Sequence, residues 1–314
     1  MTTITKIFGT LAIGAALTTA ASAVEPESCK TVRFSDVGWT DITATTAATS
    51  TVLEALGYTT EVKILSVPVT YASLKNKDID VFLGNWMPTM EGDIAAYRED
   101  GSVETVRANL QGAKYTLAVP KYTYDKGLKS FADIAKFKGD LDGKIYGIEP
   151  GNDGNRLIID MIEANTFGLD GFEVVESSEQ GMLAQVARSE KREKDIVFLG
   201  WEPHPMNANF EMAYLEGGDD IFGPNYGGAT VYTNVRAGYT SECANVGKLL
   251  ENLEFSLAME NEIMGAILND GEEPNKAASA WLKNNPAAFE AWLTGVTSVD
   301  GGDAVAAVKA KLGL

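Results

Sequence analysis

The chain has 314 residues, of which 45% are hydrophobic and 22% charged, values typical of a soluble globular protein long enough for two domains. Its formal net charge of −18 disfavours nucleic acid and anionic lipid as partners and is compatible with a cationic small molecule. No low-complexity tract predicts disorder.

The N-terminus has the pattern of a secretory signal peptide over 1–23. Lys6 is followed by an apolar run over 7–17, and the small residues at 21–23 fit a cleavage site. The run is too short for a membrane span, and an uncleaved anchor or a buried helix is the alternative. We therefore predict an exported protein that is cleaved near Ala23.

Strand-like and helix-like segments alternate after the signal peptide, which predicts α/β lobes with largely parallel sheets. Strands are predicted at 31–34, 61–67, 81–83, 144–148, 172–175 and 196–199. Apolar residues at helical spacing predict helices over 41–56, after the turn at 151–154, and around 182–187. After Thr240 the chain is predicted to be mainly helical.

Two segments of the sequence are similar to each other, and we call this similarity the internal echo. Segments 80–88 and 195–203 are both short apolar strands that end in Gly, then Trp, then Pro. Ligands of open α/β sheets bind beyond the carboxyl ends of the strands. The echo therefore predicts that Trp86 and Trp201 lie at the ligand edge of two lobes, although a chance match of so short a string is the alternative.

The order of segments predicts two lobes. Residues 24–113 and 224–314 are assigned to lobe I, and 114–223 to lobe II. Cys29 and Cys243 are the chain's two cysteines, and both follow the predicted cleavage site. In an oxidising compartment such a pair usually forms a disulfide, which would join the two parts of lobe I, whereas two free thiols are the alternative.

The candidate ligand site consists of aromatic residues from separate segments and one acid. Trp39, Trp86, Tyr115 and Trp201 would form a box, with Asp41 beside it. Such a box suits trimethylammonium, whose methyl groups want apolar contact and whose charge is attracted to ring faces. The alternatives without a ligand are that each Trp packs in the hydrophobic core and that Asp41 only caps a helix.

The segment 151–155 is a further candidate, in which backbone N–H groups and Asn152 would face the ligand. It lacks the Lys-Ser/Thr pair of a phosphate loop, which disfavours nucleotide binding. A turn with a helix cap is the alternative. Trp281 and Trp292, in the helical C-terminal stretch, are interpreted as packing residues.

Four segments resemble those of the periplasmic choline-binding proteins of bacterial ABC importers: 32–41, 82–88, 147–155 and 200–205. The similarity extends over essentially the whole mature chain. It implies a two-lobed type II periplasmic-binding fold with the ligand cleft between lobes, a periplasmic location, and an inner-membrane permease as partner. The residues that it implies in choline binding are Trp39, Trp86, Tyr115 and Trp201 as the box, with Asp41 and Asn152 contacting the hydroxyl end, and it implies a disulfide between Cys29 and Cys243.

Other functions fit the sequence less well. An enzyme is disfavoured because the single histidine, His204, lies between prolines without an obvious partner, although a hydrolase with a carboxylate pair stays open. No Cys/His cluster has metal-ligand spacing, so no metal or cofactor is predicted. Glycine betaine, acetylcholine, carnitine and trimethylamine oxide are alternative ligands, and sugars are less compatible. A monomer is expected.

Overall fold

The computed structural model describes residues 25–314, so the predicted signal peptide lies outside the described residues. The strands are β1 Thr31–Asp36, β2 Thr59–Ile64, β3 Val81–Met87, β4 Val103–Pro120, β5 Lys144–Tyr146, β6 Glu173–Val175, β7 Phe198–Glu202, β8 Met212–Tyr214 and β9 Gly228–Arg236. The helices are α1 Thr40–Ala55, α2 Val67–Asn76, α3 Glu91–Glu99, α4 Lys121–Asp125, α5 Phe131–Ile134, α6 Asp153–Glu163, α7 Glu179–Glu190, α8 Met206–Asn209, α9 Asp219–Phe222, α10 Pro224–Gly227, α11 Tyr239–Glu242, α12 Ala244–Asn252, α13 Leu257–Leu268, α14 Pro274–Asn284, α15 Pro286–Trp292 and α16 Ala304–Leu312.

The described strands form one mixed sheet in the order β2-β1-β3-β9-β4-β7-β5-β6, with β8 paired to β4. The flanks are parallel, as predicted: β1 pairs with β2 and β3, and β5 pairs with β6 and β7. The centre differs from the prediction, because β4 and β9 pair antiparallel with each other and with their neighbours. Three register shifts in the β4–β9 pairing break the two-residue period, which explains why the sequence pattern did not reveal β4.

The long helix α1 carries the first two site residues. It is buried along most of its length, and some of its hydroxyl side chains bond back to the helix: Thr45 donates to the Asp41 carbonyl at 3.0 Å, and Thr49 to the Thr45 carbonyl at 2.8 Å. These bonds satisfy polar groups that would otherwise be costly to bury. Helices α13 and α14 pack against α1, so the acidic start of α13 comes close to the site.

The predicted disulfide is confirmed. Cys29 and Cys243 are bonded, with a Cα–Cα separation of 5.4 Å, and both are fully buried. The bridge ties the short turn that precedes β1 to the segment between α11 and α12. The prediction of a mainly helical region after Thr240 is also confirmed, by α12 to α16. Within residues 25–314, no helix combines the length and apolar character needed to cross a bilayer.

Candidate ligand-binding site

Five of the six predicted ligand residues line one small cavity. The sequence analysis did not single out Ile148, which also lines the cavity. The lining residues are Trp39, Asp41, Trp86, Tyr115, Ile148 and Trp201.

Strand ends and one helix start bring the aromatic residues together. Trp39 is the N-cap residue of α1, Trp86 is the penultimate residue of β3, and Trp201 lies next to the end of β7. Tyr115 lies directly opposite Trp201 in the antiparallel pairing of β4 with β7. The echo extends to the backbone, since the peptide bonds before Pro88 and Pro203 are both cis.

The rings meet edge to face rather than in stacks. The Tyr115 ring lies 6.1 Å from that of Trp86 at an interplanar angle of 62°, and 6.2 Å from that of Trp201 at 84°. Ring faces carry the negative part of the aromatic quadrupole, so faces turned to the cavity attract a cation. None of the six lining residues is Lys or Arg.

Asp41 is the acidic residue of the lining, and it is only 1% exposed. Its Oδ2 atom accepts a hydrogen bond from Trp86 Nε1 at 3.1 Å, whereas its Oδ1 atom is buried without a hydrogen-bond partner. Burial, and secondly the charge of Glu179, raise the pKa of Asp41 to about 8. A positive ligand group would supply the charge partner that this carboxyl lacks.

Glu179 is a buried acid beside the site that sequence reasoning missed. Its carboxylate accepts from the Thr40 backbone N–H at 2.8 Å and from the Thr40 hydroxyl at 2.6 Å. His204 Nδ1 accepts from the Met206 N–H, so its Nε2–H donates to Glu179 Oε1, at 3.1 Å. The His204 ring in turn packs 4.7 Å from Trp201.

His204, which has no obvious partner in the sequence, therefore has one in the fold. The partner lies 25 residues away in sequence and Thr40 lies 139 residues from Glu179, so no local pattern could reveal either contact. Because Thr40 begins α1 and Glu179 begins α7, one carboxylate links the first turn of α1 to the aromatic wall at Trp201.

A second missed acid, Glu260, lies in the first turn of α13 and is 2% exposed. Burial, followed by the charge of Asp41, raises the pKa of Glu260 well above its ordinary range.

Asn152 lies behind Tyr115. Its Oδ1 atom accepts from the Asn155 N–H at 2.9 Å, which caps α6, and from the Tyr115 hydroxyl at 3.1 Å. Asn152 is not among the residues lining the cavity. Its direct contact with a ligand stays a prediction, while its observed contact orients Tyr115.

Gly154 allows the Tyr115 hydroxyl to lie close to the start of α6. A Cβ atom built there would lie 2.1 Å from the Tyr115 hydroxyl oxygen, far inside van der Waals contact. Gly154 is thus needed for the aromatic box, a role that the sequence of the 151–155 segment alone did not reveal.

Residues 30–284 match the OpuAC family, the substrate-binding domain of an ABC-type glycine betaine transport system. The chain belongs to this family. Among solved structures, an ABC-transporter choline binding protein in complex with choline is 77% identical, with a TM-score of 0.91 and coverage of 92% of this chain and 100% of that chain. The same kind of protein in an unliganded semi-closed conformation has the same identity and coverage and a TM-score of 0.85.

Among curated proteins, the uncharacterised protein ORF1 of Chromohalobacter salexigens is 57% identical over 129 residues, which cover 41% of this chain and 83% of that protein. OpuAC domains are the substrate-binding parts of transport systems, and membership implies a periplasmic location and a membrane permease as partner. The structure is nearer to the choline-bound conformation than to the semi-closed one. The predicted periplasmic-binding fold is thereby confirmed.

Proposed function

We propose that this OpuAC-family chain captures choline in the aromatic cavity and delivers it to the permease of an ABC importer, without catalysing a reaction. The observation that carries the proposal is the lining itself: three Trp, one Tyr and one buried Asp surround a small cavity, with no Lys or Arg among them. The likeness to a choline-bound protein at 77% identity supports the same ligand.

The trimethylammonium group is proposed to lie against Trp39, Trp86, Tyr115 and Trp201. Each cation–π contact contributes about 0.5–2 kcal/mol, so four contribute about 2–8 kcal/mol before ordering costs. Micromolar affinity requires about 8 kcal/mol net. An ion pair between the cation and the ionised form of Asp41 supplies part of the remainder, because a nearby positive charge favours the carboxylate.

The hydroxyl end of choline is proposed to donate to Asp41 Oδ1, the oxygen without a partner. Asn152 is proposed as the second polar contact. Its Nδ2 atom donates one hydrogen bond to the Glu149 carbonyl at 2.6 Å, which leaves a second N–H for the ligand oxygen.

Two lobes are proposed to close on the ligand, with lobe I at 24–113 and 224–314 and lobe II at 114–223. Strand β4 supports this division, because its pairing changes from β9 to β7 at Lys114. Contacts between Thr40 and Glu179, and an Arg156–Asp93 ion pair at 2.9 Å, would then form only on closure. We propose Tyr115 and 224–228 near the hinge.

Export is proposed to remove the signal peptide near Ala23, which would leave a mature monomer. Glycine betaine is the second candidate ligand, favoured by the description of the family. Its carboxylate, however, would meet Asp41 Oδ1 in a cavity whose lining offers no cationic side chain. Acetylcholine and carnitine are weaker alternatives that share the trimethylammonium group. A hydrolase with a carboxylate pair is the alternative of another class.

Calorimetric titration of the mature protein with choline and then glycine betaine at pH 7.5 tests the proposal. We expect saturable binding of both or of choline alone, with choline bound more tightly. Binding of betaine with no binding of choline would keep the box and remove the role of Asp41. No heat with either ligand, confirmed by unchanged tryptophan fluorescence, would overturn the proposed function.

A further inference from the structure

Asp41 presents one free oxygen to any ligand that enters the cavity. Its Oδ2 atom is held by the Trp86 indole N–H, so Oδ1 is the oxygen that a polar ligand group meets. The residue is 1% exposed, so water does not screen what happens there. The protonation of this single oxygen decides whether the site accepts or donates a hydrogen bond.

The titratable groups that approach Asp41 are mostly acids. Glu179 approaches from α7 and Glu260 from α13, and the Tyr115 phenol approaches from β4. His204, the nearby base, is hydrogen-bonded to Glu179. A ligand carboxylate beside an ionised Asp41 would therefore be a second buried negative charge, and two such carboxylates share a proton.

We propose, on the basis of the proposed function, that a proton on Asp41 selects between two classes of quaternary-ammonium ligand. The ionised carboxylate accepts from an alcohol such as choline. The protonated carboxyl donates to a carboxylate such as that of glycine betaine. Burial that raises the pKa of Asp41 to about 8 agrees with this division, because the protonated form is then available near neutral pH.

The two complexes then differ by one bound proton. The ligand carboxylate itself stays ionised above about pH 5, since α-carboxyl groups titrate near 3.3–3.7. Linkage requires that the ratio of the betaine Kd to the choline Kd rise with pH, by up to tenfold per pH unit, wherever the protonation of the complexes differs. The chain would thus discriminate strongly in alkaline medium and accept both ligands in acid.

The experiment measures both Kd values by calorimetry at pH 5.5, 7.0 and 8.5, for the wild type, Asp41→Asn and the exposed control Asp140→Asn. We expect the betaine-to-choline ratio to rise at least tenfold over this range in the wild type and the control. In Asp41→Asn, whose amide carries no titrating proton, the ratio stays constant within about twofold.

Several outcomes overturn the inference while leaving choline binding intact. One is a constant ratio in the wild type, and another is a ratio in Asp41→Asn that still follows pH, which would assign the effect to His204 or another group. If Asp41→Asn binds neither ligand, the proton uptake on binding is measured instead, by titrating the wild type in two buffers of different ionisation enthalpy. Betaine must then take up close to one more proton than choline at pH 8.5, and equal uptake contradicts the inference.

If neither ligand binds the wild type at any pH, the proposed function itself has failed. If choline binds and betaine shows no binding even at pH 5.5, the proton switch is overturned and the choline proposal stands.

Discussion

The indole N–H of Trp86 donates to Asp41 Oδ2 at 3.1 Å, although 45 residues separate the two in sequence. One side chain is the penultimate residue of β3 and the other lies in the first turn of α1. The hydrogen bond therefore joins an aromatic wall of the cavity to its acid. Replacement of Trp86 therefore removes a donor that favours the ionised form of Asp41, as well as the ring.

Trp86→Phe separates these two effects, because it keeps a ring and removes the donor. Hydrogen bonds to charged groups contribute about 1.5–3 kcal/mol, so choline affinity should fall at least about tenfold, and further in Trp86→Ala. Trp281→Ala, a tryptophan whose N–H instead bonds Glu262, is the control and should bind normally. Equal affinities of wild type and Trp86→Phe in calorimetric titration would show that the hydrogen bond does not matter.

Gly154→Ala tests the position of Tyr115. The added methyl would lie 2.1 Å from the Tyr115 hydroxyl oxygen, so the ring must move out of the box. We expect choline affinity to fall at least about tenfold, the equivalent of 1.4 kcal/mol. Gly265→Ala is a matched helical control with no atom within 4 Å of the new methyl, and should stabilise its helix by about 0.8–1 kcal/mol with normal binding. Normal binding by Gly154→Ala would contradict the role assigned to Tyr115.

Thr40→Val removes the 2.6 Å hydrogen bond to Glu179 without changing the shape of the side chain. If this contact forms only when the lobes close, its loss lowers ligand affinity, by about tenfold or more, and spares the free energy of unfolding of the ligand-free protein.

Thr43→Val on the same helix is the comparison. It removes a 2.6 Å hydrogen bond to Asp36 within the proposed lobe I, and should lower the free energy of unfolding while leaving choline affinity intact. Urea unfolding and calorimetry on both variants give the two quantities. The opposite assignment of effects would remove the closure role of Glu179.

Asp153→Asn tests a buried acid whose two carboxyl oxygens have no hydrogen-bond partner. Burial raises the pKa of Asp153 from 3.8 to about 6. The folded state thus binds the proton more tightly, so the contribution of Asp153 to stability is present below about pH 4 and is lost as the pH rises through 6. At pH 8 the loss is about 3 kcal/mol, since each unit corresponds to about 1.36 kcal/mol.

We therefore expect the free energy of unfolding of Asp153→Asn, relative to the wild type, to rise by up to about 3 kcal/mol between pH 4 and pH 8. Urea unfolding at three pH values measures the difference, and other titrating groups cancel because both proteins share them. Asp140→Asn at the surface should show no such trend. A pH-independent difference between Asp153→Asn and the wild type would mean that Asp153 is solvated or paired.

Local sequence patterns predicted much of the fold and of the cavity. Buried parallel strands such as β1 and β3 leave short apolar runs, and Trp86 and Trp201 marked their ends. The central strands β4 and β9 were not predicted, because their pairing is antiparallel and irregular in register. The disulfide followed from composition and compartment.

The acidic surroundings of the cavity could not be predicted in this way. Glu179 and Glu260 belong to helices whose relation to Asp41 depends on tertiary packing, and each reads in sequence as an ordinary acid near a helix N-terminus. The same holds for Asn152, whose hydrogen bond to Tyr115 crosses 37 residues.

The most direct test of charge recognition in the box compares choline with 3,3-dimethyl-1-butanol, which has the same branched shape and hydroxyl but a neutral carbon in place of nitrogen. Four cation–π contacts contribute at least about 2 kcal/mol, so competitive calorimetry at pH 7.5 should show the neutral alcohol binding at least about 30-fold more weakly. Equal affinities would mean that the cavity recognises shape and apolar surface alone, and would contradict the proposal that Trp39, Trp86, Tyr115 and Trp201 bind a cation.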